Sequence, residues 1–237
     1  MSGLRRALAF LTIFGGAAAP DAQTMTWFPV VGAVIGGVVG AAWWGAHRLW
    51  SPLLAGAVAV TVDAIVTGLL HVDGLVDAAD GVLPHMERQR RLDVMREPTV
   101  GAFGVAAVVV VMVLRTAAFA GAAPNVGVIA AVWAASRTVM AVAARSMPYA
   151  RAAEHGLAAR MLGQGAAGVA VVGAVVAAAV GGVAARGFGV AAVGATFVAG
   201  ALVVGLGNRR LGGFTGDVLG AAGIVAETIG LLVFAAR

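Results

Sequence analysis

The sequence predicts an all-α protein, a polytopic bundle of transmembrane helices. Hydrophobic residues make up 61% of the chain and charged residues only 11%, and the apolar residues form long uninterrupted runs. Water-soluble domains carry about 25% charged residues. Runs of about 20 apolar residues suit membrane-spanning helices, whereas barrel strands would appear as short alternating segments. We therefore expect one integral-membrane domain over residues 1–237.

The apolar runs predict about seven spans that cross the lipid bilayer. Only two long polar segments separate them, residues 72–100 and 145–164. Chemistry is therefore expected on the side of the membrane that holds these two segments. The predicted spans cover residues 28–46, 52–71, 101–121, 124–144, 165–185, 187–206 and 214–236.

The arginines predict the orientation, because cytoplasmic loops carry an excess of positive residues. Eleven arginines lie on the predicted side of the N-terminus and three on the other side. We expect a multi-pass protein of the bacterial cytoplasmic (inner) membrane, with the N-terminus and the acidic segment in the cytoplasm. The eleven are Arg5, Arg6, Arg88, Arg90, Arg91, Arg96, Arg145, Arg151, Arg160, Arg209 and Arg210, and the three are Arg48, Arg186 and Arg237.

Residues 4–19 imitate a signal peptide, with Arg5 and Arg6 before a short apolar run and Ala17 to Ala19 at its end. Cleavage there would place the arginine-rich loops outside, contrary to their charge. We expect instead a short N-terminal helix that lies in the membrane interface or dips into the protein, since it is too short to span.

Composition excludes several kinds of site. The chain has no cysteine, which excludes disulfides, thiolate nucleophiles and zinc–thiolate centres. Its formal charge is +5, but the arginines are dispersed among short loops. They form no basic stripe with interleaved aromatic residues, so we expect no nucleic acid as a partner.

Carboxylates are concentrated in one part of the chain, since seven of the 11 acidic residues lie within residues 63–97. On a helix, Asp73, Asp77 and Asp80 would follow the spacing i, i+4, i+7 and share one face. Three like charges repel unless a hard cation lies among them, and Mg²⁺ prefers carboxylates shared with substrate phosphates. The pattern indicates phosphate chemistry, while a solvated helix end is the alternative.

Further residues are candidates for the same site. Asp217 lies at the predicted start of the last span, level with the acidic helix, and could complete a metal site with Asp73, Asp77 and Asp80. His71 is suited to act as a base or to orient the site. The bare amides and hydroxyl of Gly213, Thr215 and Gly216 at that helix start are suited to hold a phosphate oxygen.

Two stripes of glycine at four-residue spacing, Gly32/Gly36/Gly40 and Gly212/Gly216/Gly220, predict close helix packing, and such faces also suit contacts in a homo-oligomer. Charges buried in lipid should be paired. Their depths along the spans predict two ion pairs. These are Asp63 with Arg137 and Glu227 with Arg115.

Four separate segments closely resemble the cobalamin synthase family. They are FPVVG at 28–32, TGLLHVDGLVDAADG at 67–81, VGAFG at 100–104 and LGGFTGD at 211–217. The resemblance implies a membrane enzyme with adenosylcobinamide-GDP and α-ribazole, or its 5′-phosphate, as substrates. The products would be adenosylcobalamin, or its phosphate, and GMP, with Mg²⁺ as cofactor.

The resemblance also assigns roles to residues. It implies catalytic roles for His71, Asp73, Asp77 and Asp80. Substrate contacts are expected from arginines in neighbouring loops, which suit bidentate phosphate binding, and from the glycine-rich segments. These residues are Arg96, Gly101, Arg151, Arg209, Arg210, Gly213, Thr215 and Gly216.

Two alternative functions fit part of the pattern. Residues 77–81 satisfy the opening of the CDP-alcohol phosphotransferase motif, but Pro84 and His85 follow where that family has Ala-Arg, and its later acidic residues are missing. A cation or cobalt-linked transporter would favour acidic residues deep within the spans. Most of those here lie at the membrane face.

Overall fold

The computed structural model describes residues 2–16, 21–151 and 165–236, and these fold almost entirely into helices. Within these described residues, six stretches are long and apolar enough to cross a membrane: α3, α7, α8, α10 and the two arms of α9. The prediction of a polytopic all-α bundle is confirmed. The helices are α1 (Gly3–Leu11), α2 (Ala22–Thr26), α3 (Phe28–His47), α4 (Pro52–Val66), α5 (Leu70–Val82), α6 (Arg88–Val94), α7 (Ala102–Gly121), α8 (Val126–Ser146), α9 (Ala166–Leu211) and α10 (Gly216–Ala235).

Helix α9 consists of two membrane-length arms, Ala167–Ala185 and Gly187–Leu211. A β-carbon added at Gly189 would collide with the carbonyl oxygen of Gly181, so the backbones touch across the fold between the arms. The pair thus forms a hairpin, as the two predicted spans at 165–185 and 187–206 require.

Helix α8 forms the centre of the bundle, with α9 and α3 packed extensively against it and α10 also in contact. A β-carbon at Gly36 would lie 2.6 Å from the carbonyl oxygen of Ile129, and one at Gly40 would lie 3.0 Å from Cα of Val126. Gly32 approaches Trp133 in the same way. The first glycine stripe therefore brings α3 against α8 within one chain.

Large apolar side chains cover the outside of the bundle. Val34, Val109, Val113 and Leu202 on the long helices are all more than half exposed. In water such a surface would be unfavourable, but acyl chains solvate it without a penalty. The exposed faces agree with a bilayer as the surroundings.

The second predicted span, 52–71, ends earlier than expected. Helix α4 stops at Val66 and α5 starts at Leu70, and the two are bent by 90°. Between them Gly68 and Leu69 have left-handed backbones, with φ of 58° and 61°. Hydropathy continues through this turn, so the pattern of apolar residues could not locate it. Helix α5, with 13 residues, is too short to cross the bilayer.

The N-terminal helix α1 is docked into the bundle. Ala7 and Leu11 are fully buried, and the amide of Ile13 donates a hydrogen bond to the carbonyl of Val66 at 3.0 Å. An ion pair of 2.5 Å joins Arg6 to Asp21. The expected short helix that dips into the protein is thus observed, while Ala17 to Ala19 and Arg160 lie outside the described residues.

Buried charges form a chain of ion pairs between four helices. Arg115 of α7 donates to Asp63 at 2.6 Å and to Glu227 at 3.0 Å, and Arg137 of α8 also binds Glu227. The indole of Trp133 donates to the second oxygen of Asp63 at 2.9 Å. Both carboxylates are thereby neutralised inside the bundle.

Of the two ion pairs expected from depth, Glu227 with Arg115 is confirmed. Among the described residues Asp63 makes no direct ion pair with Arg137, because Arg115 reaches both carboxylates and Arg137 binds Glu227. The position of a charged residue along its span predicts how deep it lies in the membrane, but it does not predict which helices are neighbours.

Replacing Arg115 with Met should destabilise the protein by about 3–5 kcal/mol, because it leaves Asp63 and Glu227 short of a buried partner. Thermal unfolding of detergent-purified protein measures the loss. Arg48→Met is the control, since Arg48 lies over the exposed ring of Trp44 and contributes about 1 kcal/mol or less. Equal unfolding midpoints for the two variants would contradict a stabilising network.

Candidate active site

Helix α5 carries the predicted acidic face. Asp73, Asp77 and Asp80 all lie within it, as their spacing requires. They differ in exposure: Asp73 is exposed, Asp77 is half-buried and Asp80 is buried. The three carboxylates therefore share a helix but not one environment.

Asp217 lies beside this helix, in the first turn of α10. A β-carbon added at Gly74 would lie 3.0 Å from the carbonyl oxygen of Asp217 and 3.3 Å from Cα of Gly220. The backbones of α5 and α10 thus touch, and a larger residue at Gly74 would need them to shift by a few tenths of an ångström. The predicted approach of Asp217 to the acidic helix is observed.

The carboxylate of Asp80 caps helix α7. One oxygen accepts the amide N–H of Gly101 at 2.7 Å and the other accepts that of Gly104 at 2.9 Å. Free amides and the positive end of the helix dipole stabilise a carboxylate there. A β-carbon at either glycine would lie 2.5 Å from a carboxylate oxygen of Asp80, which explains why both are glycine.

Burial and the neighbouring carboxylates raise the proton affinity of Asp77. The pKa of Asp77 is raised to about 6, by burial first and then by the charges of Asp217, Asp73 and Asp80. Arg151 opposes this effect and lies 3.4 Å from the carboxylate of Asp217. Burial and the nearby negative charges therefore both favour the protonated form of Asp77.

Two clefts flank the acidic helix and share Asp73. The first cleft, of about 410 Å³, is lined by Asp73, Asp77, Arg96 and the segment 97–100. The second cleft, of about 210 Å³, is lined by Asp73, Asp217, His71, Gly216 and several aromatic rings. A group bound in either cleft would thus contact the same carboxylate.

The glycine-rich segment before α10 has mainly structural roles. Gly213 packs against Pro148 so closely that a β-carbon would collide with its carbonyl oxygen. The hydroxyl of Thr215 is buried and accepts the amide of Val218 at 3.2 Å, which caps α10. Gly216 is exposed and lines the second cleft, so of the three predicted phosphate contacts it is the accessible one.

The predicted arginines separate into two groups. Arg96 lines the first cleft, and Arg151 contacts Asp217. Arg209 and Arg210 end α9, and in the described part of the chain neither lines either of the two clefts. Only the first group is brought to the carboxylates.

Other residues that build the site gave no signal in the sequence. Arg88 donates to the carbonyls of Leu211 at 2.6 Å and Ala150 at 3.0 Å, which joins α6 to the two segments behind Asp217. Arg91 donates to the carbonyls of Gly81 and Val82 and so caps the end of α5. From the sequence, both arginines indicated only the orientation of the protein in the membrane.

Across residues 2–16, 21–151 and 165–236, no three His, Asp or Glu side chains converge as a group that could hold a metal by themselves. Mg²⁺ rarely requires such a group, because it keeps several waters and binds one or two carboxylates together with substrate phosphates. A shared site of this kind needs only one or two carboxylates, and Asp73, Asp77 and Asp217 all lie in this region.

These features define a polytopic helical membrane protein with an acidic cluster between two clefts at one membrane face. Comparison with known proteins identifies the family. The chain matches the family model described as cobalamin-5-phosphate synthase over residues 3–235. It therefore belongs to that family.

Two relatives are both named adenosylcobinamide-GDP ribazoletransferase. The protein of Chlorobaculum parvum is 36% identical over 96% of this chain and 92% of its own length. That of Chlorobium phaeovibrioides is 37% identical over 96% of this chain and 94% of its own. No solved structure matches the chain.

The two alternative functions are not favoured. The family match extends far beyond the short motif shared with the CDP-alcohol phosphotransferases. A transporter would need acidic residues accessible within the spans, whereas Asp63 and Glu227 are both engaged by Arg115.

Replacing Gly104 with Ala should lower stability and turnover together. The new methyl group would displace the Asp80 carboxylate and press on Val76. The matched control is Gly121→Ala at the other end of α7, where an added β-carbon meets no atom within 4 Å. Thermal unfolding midpoints of both variants are the measurement. A wild-type midpoint for Gly104→Ala would show that the capping contact is dispensable.

Proposed function

We propose that this protein is an adenosylcobinamide-GDP ribazoletransferase, a phosphotransferase of cobalamin nucleotide-loop assembly. It would transfer the adenosylcobinamide phosphate group to α-ribazole or its 5′-phosphate and release GMP. The match to the family and to named relatives over nearly the whole chain carries the proposal. The geometry supports it, because two clefts meeting at Asp73 suit a reaction between two substrates.

In this reaction a ribose hydroxyl attacks the phosphorus attached to cobinamide. An oxygen–phosphorus bond forms between the ribose and this phosphate, the bond from the phosphorus to GMP breaks, and the hydroxyl proton is released to solvent. Positioning and charge neutralisation supply most of the catalysis in phosphoryl transfer. Arg96 in the first cleft and Arg151 beside Asp217 are placed to bind phosphate oxygens. Asp73 lies where the two substrates would meet.

Mg²⁺ is proposed as the cofactor. One or two of the carboxylates of Asp73, Asp77 and Asp217 would hold it together with substrate phosphates. Burial first, and then the charges of the other aspartates, raise the pKa of Asp77, and a cation would offset those charges. Bound there, Mg²⁺ would neutralise the diphosphate charge. The oxygens of Asp80 already accept two amides, so its main contribution is to hold α5 against α7.

The active site is proposed to face the cytoplasm in a bacterial inner membrane. Arg88, Arg90, Arg91 and Arg96 all lie on or just after α6, at the same face as the acidic helix. Their abundance at this face favours the cytoplasmic side by the positive-inside rule.

Replacing Asp77 with Asn should lower the rate of GMP release at least about a hundredfold, the scale expected for loss of one charge-stabilising group. The assay uses detergent-purified protein with adenosylcobinamide-GDP and α-ribazole across a Mg²⁺ titration. Asp93→Asn is the control, since Asp93 accepts a hydrogen bond from Gln89 on α6, away from the cluster. Wild-type turnover of Asp77→Asn at low Mg²⁺ would refute the catalytic role of the cluster.

Mg²⁺ affinity should rise about tenfold from pH 5 to pH 7 and then level off. The pKa of Asp77 is about 6, so below that pH the cation must displace a proton from its carboxyl group, and above it the group is already ionised. Binding titrations at several pH values measure the effect. Asp77→Asn should remove most of the dependence, and an unchanged slope in that variant would exclude Asp77 as its source.

A further inference from the structure

Aromatic rings form much of the second cleft, although phosphate chemistry gives no reason for them. Phe10 of α1 and Phe28 of α3 are stacked, with ring centroids 5.9 Å apart and planes 18° from parallel. Tyr149 and Phe214 meet edge to face at 5.4 Å. Tyr149 is the only tyrosine in the chain. Two aromatic pairs from four separate segments thus converge on one cavity.

His71 adds a polar group to this cavity. Its side chain is buried, with 4% relative exposure, and neither ring nitrogen has a hydrogen-bond partner among the described residues. Buried polar atoms almost always have partners, so this pair of nitrogens calls for a ligand or a water molecule. A neutral imidazole offers one N–H donor and one acceptor.

The size of the cleft limits what it can hold. Its volume is about 210 Å³. A cavity of about 150 Å³ takes up a benzene ring, so this cleft has room for two fused rings. Asp73 and Asp217 line the same cleft, so a substituent on those rings could reach the acidic cluster.

We propose that the second cleft binds the base of the acceptor nucleoside, a fused two-ring aromatic heterocycle whose unprotonated ring nitrogen accepts a hydrogen bond from His71. The inference rests on the proposed function, since the base of α-ribazole is a benzimidazole with one such nitrogen. The aromatic pairs surround the rings, and the attached ribose extends towards Asp73. The guanine base of the other substrate has several donors and acceptors along its edges, and this largely apolar cleft would leave many of them unpaired.

The proposal gives His71 and α1 defined tasks. His71 recognises the acceptor base, which makes it a binding residue and leaves the hydroxyl proton to another group. Helix α1 contributes Phe10, and the contact of Ile13 with Val66 holds that helix in place. Loss of the His71 or the Phe10 side chain should therefore weaken acceptor binding more than it slows the transfer step.

Equilibrium dialysis of α-ribazole against the full-length, detergent-purified protein tests the proposal. His71→Leu should weaken binding about tenfold or more, because the hydrogen bond to the base is lost. Phe10→Ala, which removes one stacked ring, should also weaken it about tenfold. Phe188→Ala is the matched control, an exposed phenylalanine on α9, and should bind like wild type. Thermal unfolding confirms that each variant is folded. If His71→Leu does not fold, the binding result for Phe10→Ala decides the test.

Steady-state kinetics separates this role from the alternative of a general base. We expect both variants to raise KM for α-ribazole while KM for adenosylcobinamide-GDP stays unchanged, and His71→Gln, which keeps an N–H donor, to recover most of the affinity. Unchanged α-ribazole binding in His71→Leu and Phe10→Ala would overturn the proposal, as would displacement of bound α-ribazole by GMP. Wild-type protein that binds α-ribazole but releases no GMP would instead refute the proposed function alone.

Discussion

The right-angle turn between α4 and α5 is the constraint on which the site depends. A helix with three aspartates could not continue through the hydrocarbon layer without a large penalty. The turn at Gly68 and Leu69 sends it across the ends of α7 and α10 instead. At this turn Leu69 has a left-handed backbone conformation, which is uncommon and unfavourable for a bulky side chain. Close contacts at Gly74 and Gly104 hold the helix in its new direction.

Below the turn, a network of buried ion pairs connects four helices of the bundle. Asp63 on α4 and Glu227 on α10 are each bonded to Arg115 on α7, and Arg137 on α8 extends the chain. With two carboxylates and two guanidinium groups, the set is balanced in formal charge. Its geometry is also specific, since an arginine fork must meet its carboxylates at fixed angles. The network thus sets the relative positions of the helices that support the acidic face.

The sequence predicted the parts of the fold that follow from local composition. The six membrane-length stretches agree with predicted spans to within a few residues, and the helical spacing of Asp73, Asp77 and Asp80 was confirmed. The similar depths of Glu227 and Arg115 along their spans correctly predicted that they form an ion pair.

What the sequence could not predict depends on contacts between distant segments. Hydropathy contains no information about the φ angle of Leu69, so the predicted span continued past the turn. The two hydrogen bonds that Asp80 accepts from the amides of Gly101 and Gly104 could be predicted only by knowing that α5 meets the start of α7. Tyr149 and Phe214 pair only because two loops form a short β-bridge. These contacts arise from tertiary packing.

The two hydrogen bonds that Asp80 accepts at the start of α7 affect how mutational data on this family should be interpreted. The three aspartates of the acidic helix have different roles, because Asp80 joins two helices while Asp73 and Asp77 line a cleft. An inactive Asp80 variant would combine a folding defect with any chemical one. Its low activity is interpretable only when normalised to the amount of folded protein in the membrane, a correction that variants of the exposed Asp73 should hardly need.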